Sequence, residues 1–532
     1  MKLVTVDQMR QIERHAHETL GWRYDDMMEM AGQQLALLVQ HKVSHLTTRP
    51  KITFLIGKGN NGGDALIASR LLAPDYDVRC YLLDFITDLK QVDETNAFIL
   101  STEKDPDGQM LKEWIKTTDI VVDGIFGIGV HLPLRKQYAD VLHTVNQIIR
   151  KSKNQPVHET ALIFPHQTVH SAPAIQVIAV DCPSGIDCNT GQADPNTLPA
   201  DVTITFIAPK IGQVLSPALS YVGELVIATL GIPAEPIHNQ LELATLPNMK
   251  ALLPHRPLDA NKGTFGKSLI IGGCANYYGA PTLSAMACYR SGTGIVTVGT
   301  IPSAIHAIAS QHPEPTYIPL TALNSDCIDV DSYAIVAEVA SNYDSLLIGV
   351  GMGTTDRTEG FLINLLKHDL PPLILDADAL NILSTMSDWW EYVSHDSILT
   401  PHPGEMSRLT GLTIPQIQAD RIEIARQSSA KWGATVLLKG AHTVIASPDG
   451  QITILPFKSS TLATAGTGDL LAGLIAGFRA QGLSSHNASV LGGYVHGLAG
   501  KIAEDQFGNG RGVIASDILQ AIPEALTWIE NS

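Results

Sequence analysis

Charge is thin in this chain. Of 532 residues only 17% are charged, and Asp+Glu (53) outnumber Lys+Arg (36), for a formal net charge of −17. No long basic run exists, which excludes bulk electrostatic attraction to nucleic acid or to an anionic membrane. An anionic ligand would have to be held by helix termini and a few lysines. Cysteine is scarce too: Cys80, Cys182, Cys188, Cys274, Cys288 and Cys327. They make no CxxC pair and no Cys/His zinc spacing, and read as buried thiols in a reducing compartment. No stretch is long and apolar enough to span a bilayer. The N-terminus, Met1 to Asp7, turns polar at once, unlike a signal peptide. A soluble cytoplasmic protein is expected. Coiled-coil heptads, low-complexity tracts and short tandem repeats are missing. What is present is a 45% hydrophobic composition, enough for a large core, over a length that implies two to four domains at roughly 100–200 residues each.

One stretch organises the rest: Thr464-Ala465-Gly466-Thr467-Gly468-Asp469, running into Leu470-Leu471-Ala472-Gly473-Leu474. Small residues let a phosphate approach the backbone. The first N–H groups and the dipole of the helix that follows favour its negative charge. Asp469 at that helix mouth has two readings. It is a plain N-cap, or it is a general base beside a transferring phosphoryl group.

Residues 5–45 read as helical, with Thr5 or Asp7 as cap and Glu29 on a solvated face. The strand 52–56 then enters Gly57-Lys58-Gly59-Asn60-Asn61-Gly62-Gly63-Asp64, read as a glycine-rich turn before a helix over 65–72. The string fits G-x-G-x-x-G with Asp77 twenty residues on, a weak match to the dinucleotide fingerprint. Further strands, 78–83, 120–129, 177–180 and 202–206, deliver Asp123, then Asp181 and Ser184, to their ends. In open α/β sheets that edge binds ligands. Asn61, Asp123, Asp181 and Ser184 are expected to converge there. Lys210 follows, as a charge stabiliser or as a snorkelling surface lysine. Residues 151–174 lack periodicity and read as a surface loop.

Proline punctuation from Pro233 to Pro257 marks a domain boundary. Beyond it, strand–helix alternation restarts through 268–273, 294–298, 346–353, 373–378, 397–400 and 435–440. Repeated βα units imply a second parallel sheet with helices on both faces. The fold class is therefore α/β, with two doubly wound domains. His496 reads as an ordinary packed histidine.

Both halves resemble known families. Residues 1–235 resemble the NAD(P)H-hydrate epimerase domain, a Rossmann-like three-layer sandwich. Its motifs are Gly57 to Asp64, Asp123-Gly124-Ile125-Phe126-Gly127, Asp181-Cys182-Pro183-Ser184-Gly185 and Ala208-Pro209-Lys210. Residues 245–532 resemble the nucleotide-dependent NAD(P)H-hydrate dehydratases of the ribokinase-like superfamily. The motifs there are Lys262 to Lys267, Gly349-Val350-Gly351-Met352-Gly353, Asp376 to Asn381, Thr400 to Glu405, Lys439 to Thr443 and the opening turn. Ala65 and Ala465 stand where the families usually have glycine.

The resemblance implies repair of hydrated NADH or NADPH. One half exchanges the R and S epimers. The other phosphorylates the hydroxyl of the S form with ADP or ATP and then eliminates phosphate. It assigns catalysis to Asp469 and Asp181, and substrate contacts to Asn60, Asn61, Gly62, Gly63, Asp64, to Gly127, Ile128, Gly129, Val130, His131, Leu132, Pro133, and to Ala280, Gly351 and His402. The nucleotide would lie on Lys439, Gly440, Ala441, His442, Thr443 and Gly468. K+ would be held by Asn61, Asp123 and Ser184. Mg2+ would accompany the nucleotide, positioned by Glu405 unless that residue is only a helix-start carboxylate. A homo-oligomer without nucleic-acid or membrane partners is expected. The competing reading is a vitamin or sugar kinase of ribokinase-like fold with a regulatory Rossmann-like domain.

Overall fold

The computed structural model describes residues 1–83, 97–152, 175–232, 240–322 and 326–532. They form two compact units, one of Lys2–Asn239 and one of Gln240–Ser532 together with Met1.

The first unit is built on seven strands, all parallel, in the order β3-β2-β1-β4-β5-β6-β7. They are β1 Lys51–Ile56, β2 Asp77–Leu82, β3 Phe98–Ser101, β4 Ile120–Gly124, β5 Gln176–Val180, β6 Val202–Phe206 and β7 Glu224–Ala228. The order reverses between β1 and β4. Ligands of open parallel sheets bind at such a switch point, beyond the carboxyl ends of the strands. β4, β5 and β6 are buried almost throughout, as a sheet covered on both faces requires.

The single helical reading of residues 5–45 resolves into two helices, Val6–Glu18 and Tyr24–Val43. Thr5 caps the first through a capping box with Gln8. Glu29 is half-exposed and pairs with Arg70 at 2.9 Å. The glycine-rich turn is shorter than expected, because the helix already begins at Asn60 with Gly59 as its cap. Glycines are poor helix formers, but packing requires them here. A Cβ on Gly62 would stand 1.8 Å from the Gly57 carbonyl oxygen, and one on Gly63 would stand 2.5 Å from Met28 Sδ. Asp77 opens β2 and pairs with Arg79. It therefore lies at the amino edge of the sheet, not the ligand edge, and the dinucleotide fingerprint fails on that count. The helix Lys136–Ser152 runs two residues into the expected 151–174 loop. The remainder of that loop, 153–174, and the 233–239 part of the proline-rich boundary lie outside the described residues.

The second unit carries ten strands in the order β11-β10-β9-β12-β13-β14-β15-β16-β17-β8. They are β8 Leu241–Leu243, β9 Lys267–Gly272, β10 Ile295–Thr300, β11 Thr316–Pro319, β12 Ser345–Val350, β13 Leu373–Leu375, β14 Ile398–Leu399, β15 Thr435–Leu438, β16 Val444–Ala446 and β17 Ile452–Ile454. From β11 to β15 the sheet is parallel, and β16 runs antiparallel to both its neighbours. Helix Thr467–Ala480 is buried along nearly its whole length. It brings its N-terminus to the carboxyl edge of this sheet. Among the described residues no helix is long and apolar enough to cross a membrane.

Candidate active site

In the first unit a cavity of 510 Å³ opens at the switch point. It is lined by Asn60, Asn61, Asp64, Gly127, Ile128 and Gly129 along with Asp181 and Lys210. Asp181 ends β5 with its backbone in the left-handed region, φ 58. Its Oδ1 accepts from Lys210 Nζ at 2.5 Å and from Thr205 Oγ1 at 3.1 Å. Its carbonyl oxygen accepts from Gln213 Nε2 at 2.6 Å. Lys210 is no surface lysine: it is 1% exposed. Burial opposes its charge most strongly, but Asp181 together with Cys182 and Cys188 outweighs it, so its pKa stands above the ordinary lysine value. An unpaired ammonium at that depth would be strongly disfavoured, which explains why the side chain turns inward.

Two more acids face this pair. Burial, and then the charge of Asp181, raise the carboxyls of both Glu13 and Asp64, the latter well above the usual range. Nothing in the sequence pointed to Glu13, which the cavity also contacts. Its helix, Val6–Glu18, meets the site only through tertiary packing. Three acids against Lys210 make a site able to hold and move protons.

Beside it, Asn61, Asp123 and Ser184 come together. Ser184 donates to both oxygens of Asp123, from Oγ at 2.6 Å and from N at 2.8 Å. Asn61 Nδ2 donates to the carbonyls of Phe126 (3.0 Å) and Val180 (2.6 Å). Burial raises Asp123, against the lowering effect of the Ser184 bonds. Gly127 is required by this crowding, since its Cβ would stand 2.8 Å from Asn61 Oδ1. Ala65, where the family usually has glycine, is buried and close to Gly124, whose added Cβ would meet that of Ala65 at 2.7 Å. Some expected contacts fall elsewhere. Gly62 and Gly63 are spent on helix packing, as above. The loop leaves the cavity after Gly129: Val130 and Leu132 pack on the core, and His131 and Pro133 are exposed.

In the second unit the carboxyl edge gathers residues from four strand ends. Asp376 follows β13 and accepts from Thr400 Oγ1 at 2.7 Å and from Lys439 Nζ at 2.8 Å. Glu405 lies 3.8 Å from the same Nζ. Burial opposes the charge on Lys439, and Asp376 with Glu405 outweighs it, so its pKa is raised. Burial first, then Asp376, pushes Asp469 up to about 7. Burial also takes Glu405 to about 7, with Lys439 pulling the other way. The capping reading of Asp469 fails. The cap of helix Thr467–Ala480 is Gly466 at φ 92, and no side chain caps it. Lys439 Nζ lies 3.7 Å from where a Cβ of Gly468 would stand, so the ammonium overhangs the open helix N-terminus. Base, cation and free N–H groups thus share one site.

Glu405 does act as a helix-start carboxylate, accepting from His402 N at 2.8 Å, while His402 Nδ1 accepts from Gly404 and Glu405 N–H groups. A cavity of 530 Å³ is lined by His402, Lys439, Gly440, Ala441, Thr443 and Gly468, with Leu455, Phe457 and Leu471 as apolar wall. His442 turns away from it. It is 2% exposed, its φ is 51, and burial pushes its pKa down to about 4. His496 is a packed histidine, also pushed down to about 4 by burial, yet it reaches the cavity wall. Gly351 (φ 62) and Ala280 meet at the neighbouring edge. A Cβ on Gly351 would stand 2.7 Å from Tyr277 Cβ and 2.9 Å from Ala280 Cβ. Exposed Tyr277 is a second residue the sequence did not single out.

Two mainly parallel sheets, each with acids, one acid-paired lysine and a helix N-terminus at its carboxyl edge, define a two-domain α/β enzyme. A family model described as NAD(P)H-hydrate dehydratase matches residues 268–524, and one described as YjeF-related protein N-terminus matches residues 24–212. The bifunctional NAD(P)H-hydrate repair enzyme Nnr of Moorella thermoacetica is 34% identical over 544 residues, covering 100% of this chain and 98% of that one. The enzyme of the same name from Escherichia coli is 30% identical over 522 residues, covering 97% and 92%. The solved ADP/ATP-dependent NAD(P)H-hydrate dehydratase from Bacillus subtilis, co-crystallized with ATP/Mg2+, is 29% identical, with 54% of this chain and 99% of that chain covered and a TM-score of 0.47. The chain belongs to the family of bifunctional NAD(P)H-hydrate repair enzymes.

Proposed function

We propose that the first unit exchanges the R and S epimers of hydrated NADH and NADPH, and that the second dehydrates the S form with ADP or ATP. The observation that carries the reading is Asp469: an acid pushed up to about 7, at an uncapped helix mouth under Lys439. A base with that pKa is matched to neutral pH.

In this scheme Asp469 takes the proton of the substrate hydroxyl as its oxygen bonds to the transferred phosphorus. The N–H group of Gly468 and the Lys439 ammonium hold the charge of the phosphoryl oxygens. The C–O bond then breaks with inorganic phosphate as leaving group, and a proton lost from the adjacent carbon restores the ring double bond. Gly440, Ala441 and Thr443 seat the nucleotide, and His402, Gly351 and Ala280 seat the hydrated cofactor. One lysine faces the carboxylates of Asp376, Glu405 and Asp469, and that surplus of negative charge suits a divalent cation. Magnesium on the nucleotide supplies charge neutralisation when bound, and Glu405 would position it through water.

In the first unit Asp181, fixed through Oδ1 by Lys210, exchanges protons with the substrate ring. Asn60, Asn61, Asp64 and Gly127 to Gly129 hold the substrate. With the Asn61 amide turned so that Oδ1 replaces the Nδ2 now facing the carbonyls of Phe126 and Val180, these groups with Asp123 and Ser184 would make an all-oxygen set, the chemistry that a hard cation takes. Potassium there would fix the 123–127 and 181–184 segments. The six free cysteines suit the cytoplasm. A homo-oligomer is the proposed assembly, checked by light scattering.

The test is to incubate the full chain with epimer-mixed hydrated NADH, magnesium, potassium and either nucleotide. Complete recovery of NADH absorbance is expected. Accumulation of a stable phosphomonoester without NADH would replace this reading with the small-molecule kinase.

A further inference from the structure

Of the six cysteines, two meet beside the first site. Cys182 and Cys188 are buried, 1% and 2% exposed, and their Sγ atoms lie 2.6 Å apart. Non-bonded heavy atoms settle at roughly 3.5–4.0 Å, whereas bonded sulfurs sit at about 2.05 Å. The pair is nearer to a bond than to a contact. Its backbone is pinned at both ends: Cys182 N donates to Val180 O, and Gly212 N donates to Cys188 O, each at 2.7 Å. Those bonds hold the two backbones in place, so only side-chain rotation separates the sulfurs. The seven-residue segment they bracket starts directly after Asp181 and contains Ser184. Gln213 Nε2 reaches both Cys182 Sγ, at 3.7 Å, and the carbonyl of Asp181.

We propose that Cys182 and Cys188 form a reversible dithiol–disulfide site that controls the epimerising unit. The control rests on the roles assigned above to Asp181 and Ser184; the disulfide itself does not. With a peroxide as oxidant, one Sγ attacks a peroxide oxygen, the O–O bond breaks, and a sulfenic acid and one water result. The second Sγ attacks that sulfur, the S–O bond breaks, and a second water leaves. The two sulfurs lose two electrons in all, the peroxide gains them, and both thiol protons end in water. Burial makes closure slow, so the site answers sustained oxidation rather than a brief pulse. Closure draws Cys182 Sγ off Gln213, whose amide also holds Asp181 in its left-handed conformation. A residue in that region persists only while its surroundings fix it. Epimer exchange therefore slows on oxidation.

A second thiol pair must be kept out of the test. Cys327 hydrogen-bonds Cys274, and the two sulfurs stand 3.5 and 3.8 Å from where a Cβ of Gly353 would be, in the other unit. The full-length Cys327→Ser protein is therefore treated with hydrogen peroxide, quenched with an alkylating agent, digested and mapped. The expected product is a peptide spanning residues 182–188 that is lighter by two hydrogens and takes up no alkylating agent. Epimer exchange should fall roughly tenfold, the scale of losing support for one strained residue. Dehydration of the S form should not change, and dithiothreitol should restore exchange. Adding Cys188→Ser should keep the reduced rate and remove the response. The proposal is overturned if both thiols alkylate fully after oxidation, if the bridged protein exchanges epimers at the reduced rate, or if the Cys188→Ser protein loses the same activity. An Asp181→Asn protein that still exchanges epimers would overturn the site assignment and leave the mapped disulfide standing.

Discussion

Replacing Asp469 with asparagine keeps the shape of the helix mouth and removes its basicity. Dehydration should slow by about 10²–10⁴-fold, the usual contribution of a positioned general base, or about 3–5 kcal/mol of barrier. The pH dependence should be as diagnostic as the rate. Asp469 titrates near pH 7 because burial, then Asp376, disfavours its charged form. Only the ionised form accepts a proton, so kcat/KM for dehydration should fall about tenfold per pH unit below the pKa. Asp376→Asn removes the neighbouring charge and frees Lys439 from its 2.8 Å partner. Both changes favour the Asp469 carboxylate, so the acid limb should move down by about one pH unit. Glu405 titrates in the same range, and Glu405→Gln separates the two: it should leave the limb near its wild-type position. Stability provides an internal control. A carboxyl whose folded pKa is raised opposes folding once the pH passes its unfolded value of about 4, by an amount that grows until the pH reaches the folded pKa and is constant above it. Asp469→Asn should therefore be more stable at pH 8, by about 1–2 kcal/mol after allowance for solvent screening, while less active. Recovery of NADH absorbance from the S form, with urea titrations of the same samples, measures both. An asparagine variant within about threefold of the wild-type rate would refute the assignment, since even a weak general base contributes more than that.

The same logic gives four further expectations. Asp181→Asn should leave dehydration of the S form intact but stop NADH recovery from an epimer mixture at roughly half, and Lys210→Met, which leaves a buried carboxylate unpaired, should cost about 3–5 kcal/mol of stability in urea. Ser184→Ala removes the 2.6 Å donor to Asp123 and should abolish the response of epimer exchange to potassium; a variant with an unchanged potassium titration would remove Ser184 from the ion site. Burial pushes His442, His486 and His496 down to about 4, and a histidine with a depressed folded pKa contributes stability that is present above about pH 6.5 and is lost towards pH 4, by at most about 1.4 kcal/mol per pH unit each. His486→Gln, which can keep a bond to Thr453 Oγ1, should flatten that loss in urea titrations between pH 7 and pH 5.

The parts legible in the sequence were those whose signal is local. A buried parallel strand reads as an apolar run, and an acid just past it reads as a ligand-edge residue. That rule located Asp123 and Asp181 from the chain alone. The three-residue strands β8, β16 and β17 and the partly exposed β3 were not anticipated, whereas β13 and β14, as short, were, because chemistry-capable residues follow them directly. Asn60 to Gly63 was read as a turn because glycine is a poor helix former, whereas the close approaches that call for glycine inside this helix, Gly62 to the Gly57 carbonyl and Gly63 to Met28 Sδ, show only in the fold. Glu13 and the inward course of Lys210 depend on Asp181, and no periodicity encodes an electrostatic partner that far along the chain. His442 sits in a segment that otherwise lines the cavity, but its positive φ reverses the direction of that one side chain.

The left-handed backbone of Asp181 has a consequence for engineering. That conformation favours glycine, asparagine, aspartate and histidine, and His442 adopts it in the other unit at φ 51. Of these, aspartate and histidine can accept and return a proton. Randomising the codon and selecting for new chemistry should therefore return aspartate or histidine among the active enzymes, because glutamate would have to twist the main chain before it could reach the ring.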